Sequence, residues 1–467
     1  MKILVRGGTV VSDGRSFPGD VLVDGETIAA VGPAAAPPPA ADRVLDASGC
    51  QVFPGAVDPH VHLELQTPAA TSADDFLSGS LAALAGGTTT LIDFVTPGRD
   101  EPLAAALAAR RQAARQAACD YLLHLSVTAW RDGLESELEE CCLRQGIVSV
   151  KAYLAYKETL GLEDREFLAL LDAARRLRFL TLVHAESGDM VAYLQKRLLA
   201  EGRTSAAQHP VSRPPEVEGD AVARALLMAR LAGVPLYLVH VSTRQGLDHV
   251  AAARSRGQAA IAETCPQYLL LDEALYRGGA QAAAEAVLSP PLRATEHREA
   301  LWQGLATGLV QVVATDHCPF AAAAKGLHAE DDFTRIPGGV GGVEYRLPLL
   351  FTYGVLTNRI PLARFVDLVA TRPAKLFGLF PRKGTIRAGS DADLVVWDPG
   401  VEKRVAAAGQ RQGGDHTVYE GMALRGAPRA VLSRGELMLA EGRLSAEAGR
   451  GRWLGSAPGK ENGGRRS

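Results

Sequence analysis

Most of the chain alternates short apolar runs with longer segments in which apolar residues recur at helical spacing. The short runs have the composition of buried strands, and the longer segments are rich in Ala, Leu and Arg. This alternation is typical of parallel βα units, in which a helix covers each strand. It predicts an α/β fold, a (β/α)8 TIM-like barrel, with a doubly wound parallel sheet as the alternative. The predicted strands are 53–62, 89–95, 121–127, 148–155, 180–185, 236–241, 259–264 and 310–315, and the predicted helices are 73–85, 101–118, 133–145, 163–178, 216–232, 243–256 and 295–307.

The two ends of the chain show a different pattern, in which short β-type runs are separated by turn residues. Near the start, Val21-Leu22-Val23 precedes an Asp-Gly turn, and towards the end the turn positions are Gly426, Gly435 and Gly442. The apolar runs between them are too short for helices. We therefore predict that both ends build one small β-sandwich. The predicted division is 1–53 and 386–447 for the sandwich, 54–385 for the barrel, and 448–467 for a tail that is flexible or reaches a neighbouring subunit.

Composition and charge favour a small-molecule partner over nucleic acid or membrane. The 467 residues carry a net charge of -3, which gives no electrostatic reason to expect nucleic acid. No run approaches the ~18 uninterrupted apolar residues of a membrane span. The cysteines are scattered without the spacing of a disulfide framework, and the first residues lack the apolar core of a signal peptide. These features predict a cytoplasmic location.

Side chains that bind metals stand at the carboxyl ends of several predicted strands. The first strand ends at His60 and His62, which would share one face because alternate side chains of a strand point the same way. Later strands end at or next to His184, His240 and Asp316. A lone strand-end histidine is more often a hydrogen-bonded core residue than a ligand, but the carboxyl ends of barrel strands surround one active site. Together these residues predict a metal site at the mouth of the barrel.

Lys151 lies within the predicted fourth strand, where a charged side chain is unexpected. Lysine is almost never fully buried without a partner. Burial beside cations would lower its pKa and leave a nucleophilic amine, which could take up carbon dioxide as a carbamate that bridges two metals. An edge lysine whose ammonium reaches solvent would have the same spacing. The residues alone leave both interpretations open.

Short motifs around these positions add a more specific signal. Besides Lys151, they are DPHVHLE (58–64), SADDF (72–76), AGGTT (85–89), AYK (155–157), VHAE (183–186), VHV (239–241), ETCPQY (263–268), LSPPL (288–292) and ATDHC (314–318). Taken together, they resemble the amidohydrolase superfamily and, within it, the cyclic-amide hydrolases that include dihydropyrimidinase and hydantoinase. The resemblance extends over nearly the whole chain.

The resemblance implies a binuclear metal centre, usually of zinc. Lys151 would be carboxylated, as N6-carboxylysine, and would bridge two divalent ions that hold a hydroxide between them. The implied ligands are His60, His62 and Asp316 for the first ion, and His184 and His240 for the second.

The resemblance also implies roles at the substrate. The hydroxide would attack the amide carbonyl, and the Tyr156 hydroxyl would help to polarise that carbonyl and stabilise the oxyanion. Asp316 would take the proton of the hydroxide and pass it to the leaving nitrogen. Main-chain groups of Ser289 and of the loop at Gly338 would hold the ring. Relatives usually have Asn at the position of Gly338, a change that a main-chain contact could survive.

The implied reaction is the hydrolytic ring opening of a 5,6-dihydropyrimidine or a 5-substituted hydantoin to an N-carbamoyl amino acid. Allantoinase and dihydroorotase are alternatives, but the dihydroorotase pattern has Arg where this chain has Glu64, and allantoinase-type sequences lack the AYK turn. Some relatives are non-catalytic scaffolds that have lost metal ligands, whereas every ligand position is filled here. The resemblance also suggests a homotetramer.

Overall fold

The computed structural model of the protein describes residues 1–34 and 38–455. The chain begins with five strands of a mixed sheet, whose inner face buries Val5, Val10, Val21 and Val23. They are β1 (Lys2–Ser12), β2 (Arg15–Asp24), β3 (Thr27–Gly32), β4 (Arg43–Asp46) and β5 (Gln51–Pro54). β1 pairs antiparallel with β2 and parallel with β4 and β5.

Eight parallel strands then form the barrel. They are β6 (Ala56–Val61), β7 (Thr88–Val95), β8 (Asp120–Ser126), β9 (Ser149–Tyr153), β10 (Leu180–His184), β11 (Leu236–Leu238), β12 (Ala260–Thr264) and β13 (Val312–Val313), and they pair in chain order. The segment after β13 returns to β6, where His62 N donates to His317 O at 2.8 Å. This sequential, closed order confirms the predicted (β/α)8 barrel and excludes the doubly wound sheet, whose strand order reverses at a switch point.

The predicted first strand, 53–62, is two strands in the structure. β5 belongs to the terminal sheet and β6 to the barrel, and Gly55 separates them. A Cβ at Gly55 would lie 2.2 Å from the Thr89 hydroxyl oxygen and 3.0 Å from Asp393 Cβ, so only glycine fits where the chain passes between the two sheets. A continuous apolar run carries no signal of this break.

Helices cover the barrel and fill its loops. They are α1 (Phe76–Ala85), α2 (Leu103–Ala113), α3 (Leu134–Glu139), α4 (Asp164–Leu177), α5 (Gly188–Ala200), α6 (Pro215–Ala232), α7 (Arg244–Ser255), α8 (Pro266–Leu270), α9 (Ala280–Glu285), α10 (Thr295–Thr307), α11 (Ala322–Gly326), α12 (Arg346–Leu350), α13 (Leu362–Val366) and α14 (Arg372–Leu376). Short 3-10 or π turns lie at Ala114–Gln116, Glu140–Arg144, Ala206–Gln208, Pro210–Ser212, Glu273–Arg277, Phe333–Arg335, Phe351–Val355 and Asp367–Thr371. Within the described chain, no helix has the length and apolarity needed to cross a membrane.

Side-chain capping marks the start of some helices, of which α1 is an example. The Asp75 side chain accepts a hydrogen bond from Ser78 N, and Ser78 Oγ accepts one from Asp75 N. This pair forms a capping box at the start of α1. The predicted helices correspond to α1–α4, α6, α7 and α10. Helix α5 was not predicted because two helices, rather than one, follow β10 before the next strand.

The chain returns to the terminal sheet after the barrel. The added strands are β14 (Leu394–Arg404), β15 (Ala423–Ser433), β16 (Glu436–Ala440) and β17 (Arg443–Leu444). β14 pairs with β5, so both chain ends build one mixed nine-stranded sheet with its own apolar core. The prediction that the two ends form one β unit is confirmed.

The first part of the predicted tail packs against the barrel, which differs from the expectation of a flexible segment. Arg452 O accepts a hydrogen bond from Tyr121 N at 3.0 Å, and Leu454 N donates one to Tyr121 O at 2.9 Å. The tail therefore pairs with the amino-terminal end of β8. Leu454 is buried with Leu122 and Phe377 at the base of the barrel. Main-chain hydrogen bonds from Gly449 N to Gln116 O and from Gly451 N to Ala117 O add to the packing of Trp453 and Leu454 in holding 449–455. Residues 456–467 lie outside the described part of the chain.

A buried charge cluster joins the amino-terminal end of the barrel to the terminal sheet. Lys383 Nζ lies 2.7 Å from Asp120, 3.0 Å from Asp391 and 2.8 Å from Asp393, measured to carboxylate oxygens. Arg434 adds a contact of 3.1 Å to Asp120. Burial opposes the charge of Lys383, but the carboxylates outweigh it and raise the pKa of the ammonium. The cluster thus connects β8 to residues at the start of β14.

Replacing Lys383 with Met should lower the free energy of unfolding by about 3–5 kcal/mol, because it leaves buried carboxylates without their cation. Urea unfolding followed by circular dichroism measures the change. The control is Lys403→Met, an exposed lysine on β14, for which we expect a change within about 0.5 kcal/mol. Equal losses in the two variants would contradict a stabilising role for the cluster.

Candidate active site

The carboxyl ends of the barrel strands surround a cavity of about 720 Å³. This is where the active sites of barrel enzymes lie. Every site residue predicted from the sequence lines it: His60, His62, Lys151, Tyr156, His184, His240, Ser289, Asp316 and Gly338. The fold therefore brings together side chains that are up to 278 positions apart, although the role of each stays a prediction.

His60 and His62 face Asp316 across the closing seam of the barrel. Their Nε2 atoms lie 3.1 and 3.2 Å from Asp316 Oδ1. Burial opposes ionisation of this carboxyl, but the two imidazoles hold the pKa of Asp316 well below its usual range. Phe94 packs against both rings, with centroid distances of 4.8 and 4.7 Å, and keeps the pair in place.

Glu263 orients His60 from behind. Its Oε1 lies 2.7 Å from His60 Nδ1, and its Oε2 accepts a hydrogen bond from the Tyr237 hydroxyl at 2.6 Å. Burial would lower the pKa of His60, but the carboxylates of Asp316 and Glu263 raise it to about 9. The carboxylate keeps a proton on Nδ1, so Nε2 is the nitrogen that a cation would bind in place of the second proton.

His184 and His240 form the second half of the centre. His184 Nδ1 lies 3.0 Å from His240 Nε2. The other nitrogen of His184 lies 2.8 Å from Glu186 Oε2, and that oxygen accepts a hydrogen bond from Arg213 at 2.5 Å. Burial and the neighbouring imidazole lower the pKa of His240 well below its usual value, so both rings are neutral and able to bind a cation.

Lys151 is buried between the two histidine pairs. Its side chain is 1% exposed, which rules out the edge lysine that reaches solvent. Nζ lies 5.2 Å from the ring centroids of Phe94 and Tyr153, and within the described residues no carboxylate forms an ion pair with it. Burial lowers the pKa of Lys151 to about 8. An amine with this pKa is partly neutral near pH 7 and can act as a nucleophile.

The donor set fits divalent metal ions. Nitrogen or oxygen atoms of His60, His240 and Asp316 lie within 4.8 Å of one another. In the described chain, buried ring nitrogens of His60, His62 and His240 have no hydrogen-bond partner. Buried polar atoms are nearly always paired, so unpaired ring nitrogens on residues that line one cavity fit a cation-binding site. Imidazole and carboxylate donors are the set that zinc prefers.

Tyr156, Ser289 and Gly338 also line the cavity. Burial raises the pKa of Tyr156, and the guanidinium of Arg213 lies 5.3 Å from the centroid of its ring. Three residues of the cavity have a positive φ: Tyr156 (57°), His240 (38°) and Asp316 (53°). Non-glycine residues seldom adopt this conformation, and such strain is often found at functional sites.

Sequence reasoning assigned no role to several charged residues that hold the site together. Glu186 and Glu263 lie in quoted motifs, and Arg213 pairs with Glu186 from a separate loop. The signal was present for Glu263, because a carboxylate inside the apolar strand AIAET must have a buried partner. For Arg213 no such local signal exists, since only the fold brings it to the site.

The match to known proteins agrees with this geometry. Residues 51–438 match the model of the amidohydrolase family, and the chain belongs to that family. It is 41% identical over 455 residues to the D-hydantoinase of Geobacillus stearothermophilus, which covers 97% of this chain and 96% of that protein. It is 39% identical over 464 residues to a D-phenylhydantoinase of Escherichia coli O1:K1, at 98% and 99% coverage.

Solved structures show the same relation. The crystal structure of dihydropyrimidinase from Brevibacillus agri aligns with a TM-score of 0.95 at 40% identity, over 97% of this chain and 98% of that chain. A D-hydantoinase from Thermus sp. aligns with a TM-score of 0.94 at 37% identity, over 98% and 99%. Both ends of the chain are included in these alignments, so the likeness covers the terminal sheet as well as the barrel.

Replacing Glu263 with Gln should weaken zinc binding by about 10–100-fold, because His60 loses the carboxylate that sets its tautomer. Competition with a chelator measures the affinity, and the similar size of Gln should preserve the fold. Glu299→Gln, which changes a partly exposed carboxylate paired with Arg359 away from the cavity, is the control. Unchanged zinc affinity in Glu263→Gln would contradict the orienting role.

Proposed function

We propose that this protein hydrolyses a cyclic amide or ureide, a 5,6-dihydropyrimidine or a 5-substituted hydantoin, to an N-carbamoyl amino acid. The observation that carries the proposal is the complete set of metal-binding residues around one cavity, in a chain about 40% identical to D-hydantoinases over its full length. Hydrolysis of a carbon–nitrogen bond needs an activated water, a proton carrier and a group that stabilises an oxyanion. The cavity offers residues for each of these tasks.

We propose that the site holds two divalent metal ions, with zinc as the expected metal. His60, His62 and Asp316 would bind the first ion, His184 and His240 the second, and Lys151, as N6-carboxylysine, would bridge them. Such ions, when bound, lower the pKa of a coordinated water and polarise a carbonyl oxygen. The lowered pKa of Lys151, about 8, supports this assignment, because the neutral amine is the form that reacts with carbon dioxide.

Asp316 is the proposed proton carrier. Its pKa lies well below the usual range, so the carboxylate is ionised at neutral pH, which is the form that a proton acceptor needs. It would take the proton of the attacking water and deliver it to the ring nitrogen as the amide bond breaks. Its position in the cavity, next to His60 and His62, places it at the proposed point of attack.

Tyr156 is the proposed oxyanion donor. Burial raises the pKa of its hydroxyl, so it stays protonated at neutral pH and can donate a hydrogen bond to the carbonyl oxygen as charge develops there. Main-chain groups of Ser289 and Gly338 would hold the ring. A Cβ at Gly338 would have no atom nearer than 3.9 Å, so an asparagine there, as in relatives, would fit and leave the main-chain contact in place.

The rival substrates are less well supported by the cavity. In the dihydroorotase pattern an arginine binds the substrate carboxylate at the position of Glu64. Here Glu64 is exposed and does not line the cavity, so neither its charge nor its position suits an anionic substrate. The scaffold alternative is disfavoured because every proposed ligand position is filled and lines the cavity.

The decisive assay measures the turnover of four kinds of substrate by the same purified, zinc-loaded protein. Dihydrouracil and a panel of 5-substituted hydantoins should be opened, with release of the N-carbamoyl product followed by chromatography. Allantoin and dihydroorotate should be turned over far more slowly. Turnover of only the last two would overturn the proposal in favour of the rival enzymes, and no turnover of any ring amide would favour the scaffold.

We also propose a homotetramer in a reducing, cytoplasmic setting. Exposed apolar side chains on α5 (Met190 and Tyr193) and on α6 (Leu227 and Leu231) offer surface for contact between copies. All six cysteines are free and buried, as expected where disulfides do not form. Light scattering coupled to gel filtration measures the number of chains; a monomer at micromolar concentration would contradict the assembly.

Replacing Lys151 with Ala should reduce the bound metal below two ions per chain and lower kcat/KM by more than about a hundredfold, at least the cost of losing an outer-sphere partner. Inductively coupled plasma mass spectrometry gives the metal content. Short carboxylates such as acetate should restore part of the activity, because they can occupy the place of the carbamate. Lys196→Ala, on the exposed side of α5, is the control. Two metals and full activity in Lys151→Ala would contradict the bridge.

A further inference from the structure

Two segments without regular secondary structure form one wall of the cavity, and we call them the ring-binding segments: 287–289 and 337–339. Ser289 and Gly338 lie within them and line the cavity. If their main-chain groups hold the substrate ring, both segments must keep a set position relative to Asp316. Irregular segments do not keep one conformation by their own hydrogen bonds, so contacts from elsewhere must hold them.

Lys325, on α11, contacts both ring-binding segments at once. Its side chain is 0% exposed. Its Nζ donates to the carbonyl oxygens of Val287 at 2.7 Å, Gly339 at 2.7 Å and Pro337 at 3.2 Å. An ammonium group has three N–H donors, and these three carbonyls use all of them. Lys325 itself does not line the cavity.

The buried ammonium is held by main-chain carbonyls alone. Within the described residues no carboxylate lies at ion-pair distance from Lys325. The buried Lys383, in contrast, lies at ion-pair distance from three carboxylates. Burial lowers the pKa of Lys325 to about 7, and Glu285 and Cys318 offset this only in part. A buried charge without a counter-charge costs stability, and an apolar side chain would fill the same space without that cost. The contribution of the lysine is to fix the positions of the three carbonyls that it contacts.

A second set of contacts ties the same segments to the catalytic side. Gly339 N donates to Val287 O at 3.0 Å, which joins the two segments directly. A Cβ at Gly339 would lie 2.4 Å from Cys318 O, so the segment passes in close contact over the backbone two residues beyond Asp316. A shift of the carbonyls around Lys325 would therefore move the ring-binding groups relative to Asp316.

We infer that Lys325 is a positioning residue for substrate binding: it fixes the main-chain groups of Ser289 and Gly338 at the distance from Asp316 that the ring requires. The inference rests on the proposed function, because it assigns these segments to the ring. Lys325 acts through the three carbonyls and touches neither substrate nor metal.

Lys325→Met tests the inference, with KM and kcat measured for dihydrouracil and for a 5-substituted hydantoin. The variant removes the donors and keeps a similar length. We expect KM to rise by about tenfold or more with a smaller change in kcat, because a misplacement of about 1 Å in a binding group is costly, while two metals per chain are retained. Lys325→Arg, which keeps the charge and several donors, should recover most of the loss. Lys383→Met is the matched control: it should lower stability and leave KM unchanged.

The outcomes separate the possibilities. A wild-type KM in folded Lys325→Met, or an equal rise of KM in Lys383→Met, would overturn the inference, because either result reduces Lys325 to a stabilising residue. If Lys325→Met is not recovered as folded protein, Lys325→Gln, which keeps two donors, gives the same measurement under the same criteria. A wild-type enzyme that opens no cyclic amide would be a failure of the proposed function, which the activity of the unaltered protein reveals before any variant is made.

Discussion

The buried carboxylate of Asp58 holds the barrel closed, and the active site depends on that closure. β13 is only two residues long, so few main-chain bonds join the last strand to the first. Instead, Asp58 accepts hydrogen bonds from Thr315 N at 3.2 Å and Thr315 Oγ1 at 2.7 Å, and Arg346 lies 3.7 Å away as its counter-charge. Asp58 is two residues before His60, and Thr315 is adjacent to Asp316. The contacts that close the barrel therefore also bring His60 next to Asp316.

Behind the proposed metal ligands lies a layer of buried carboxylates that sets their chemistry. Glu263 holds His60, and Glu186 holds His184 while pairing with Arg213. In each case the carboxylate takes one ring nitrogen and leaves the other for the cavity, so the tautomer of the imidazole follows from its partner. Taking several charges out of water is expensive, and these carboxylates are offset by close polar contacts: Glu263 with His60 and Tyr237, and Glu186 with His184 and Arg213. This accounts for the strong pKa shifts in opposite directions within one cavity.

The wall of the cavity that is proposed to hold the substrate is built differently, from main chain rather than from charged side chains. Ser289 and Gly338 lie on irregular segments, and their positions depend on buried residues behind the wall, of which Lys325 makes the most contacts. Main-chain recognition of the proposed kind would tolerate changes in the side chains of these segments. The positions of these main-chain groups then depend on buried residues that do not contact the substrate.

The sequence by itself determined the architecture and predicted which residues line the cavity. The period of apolar residues and the strand–helix alternation predicted the barrel, and the pattern of His60, His62 and Asp316 at strand ends predicted the metal site, because both signals are local and repeat along the chain. The break at Gly55, the docking of Leu454 and the choice between a buried and an exposed Lys151 were decided only by the tertiary structure. Each depends on what packs against the residue from a distant part of the chain, and a local pattern holds no record of that partner.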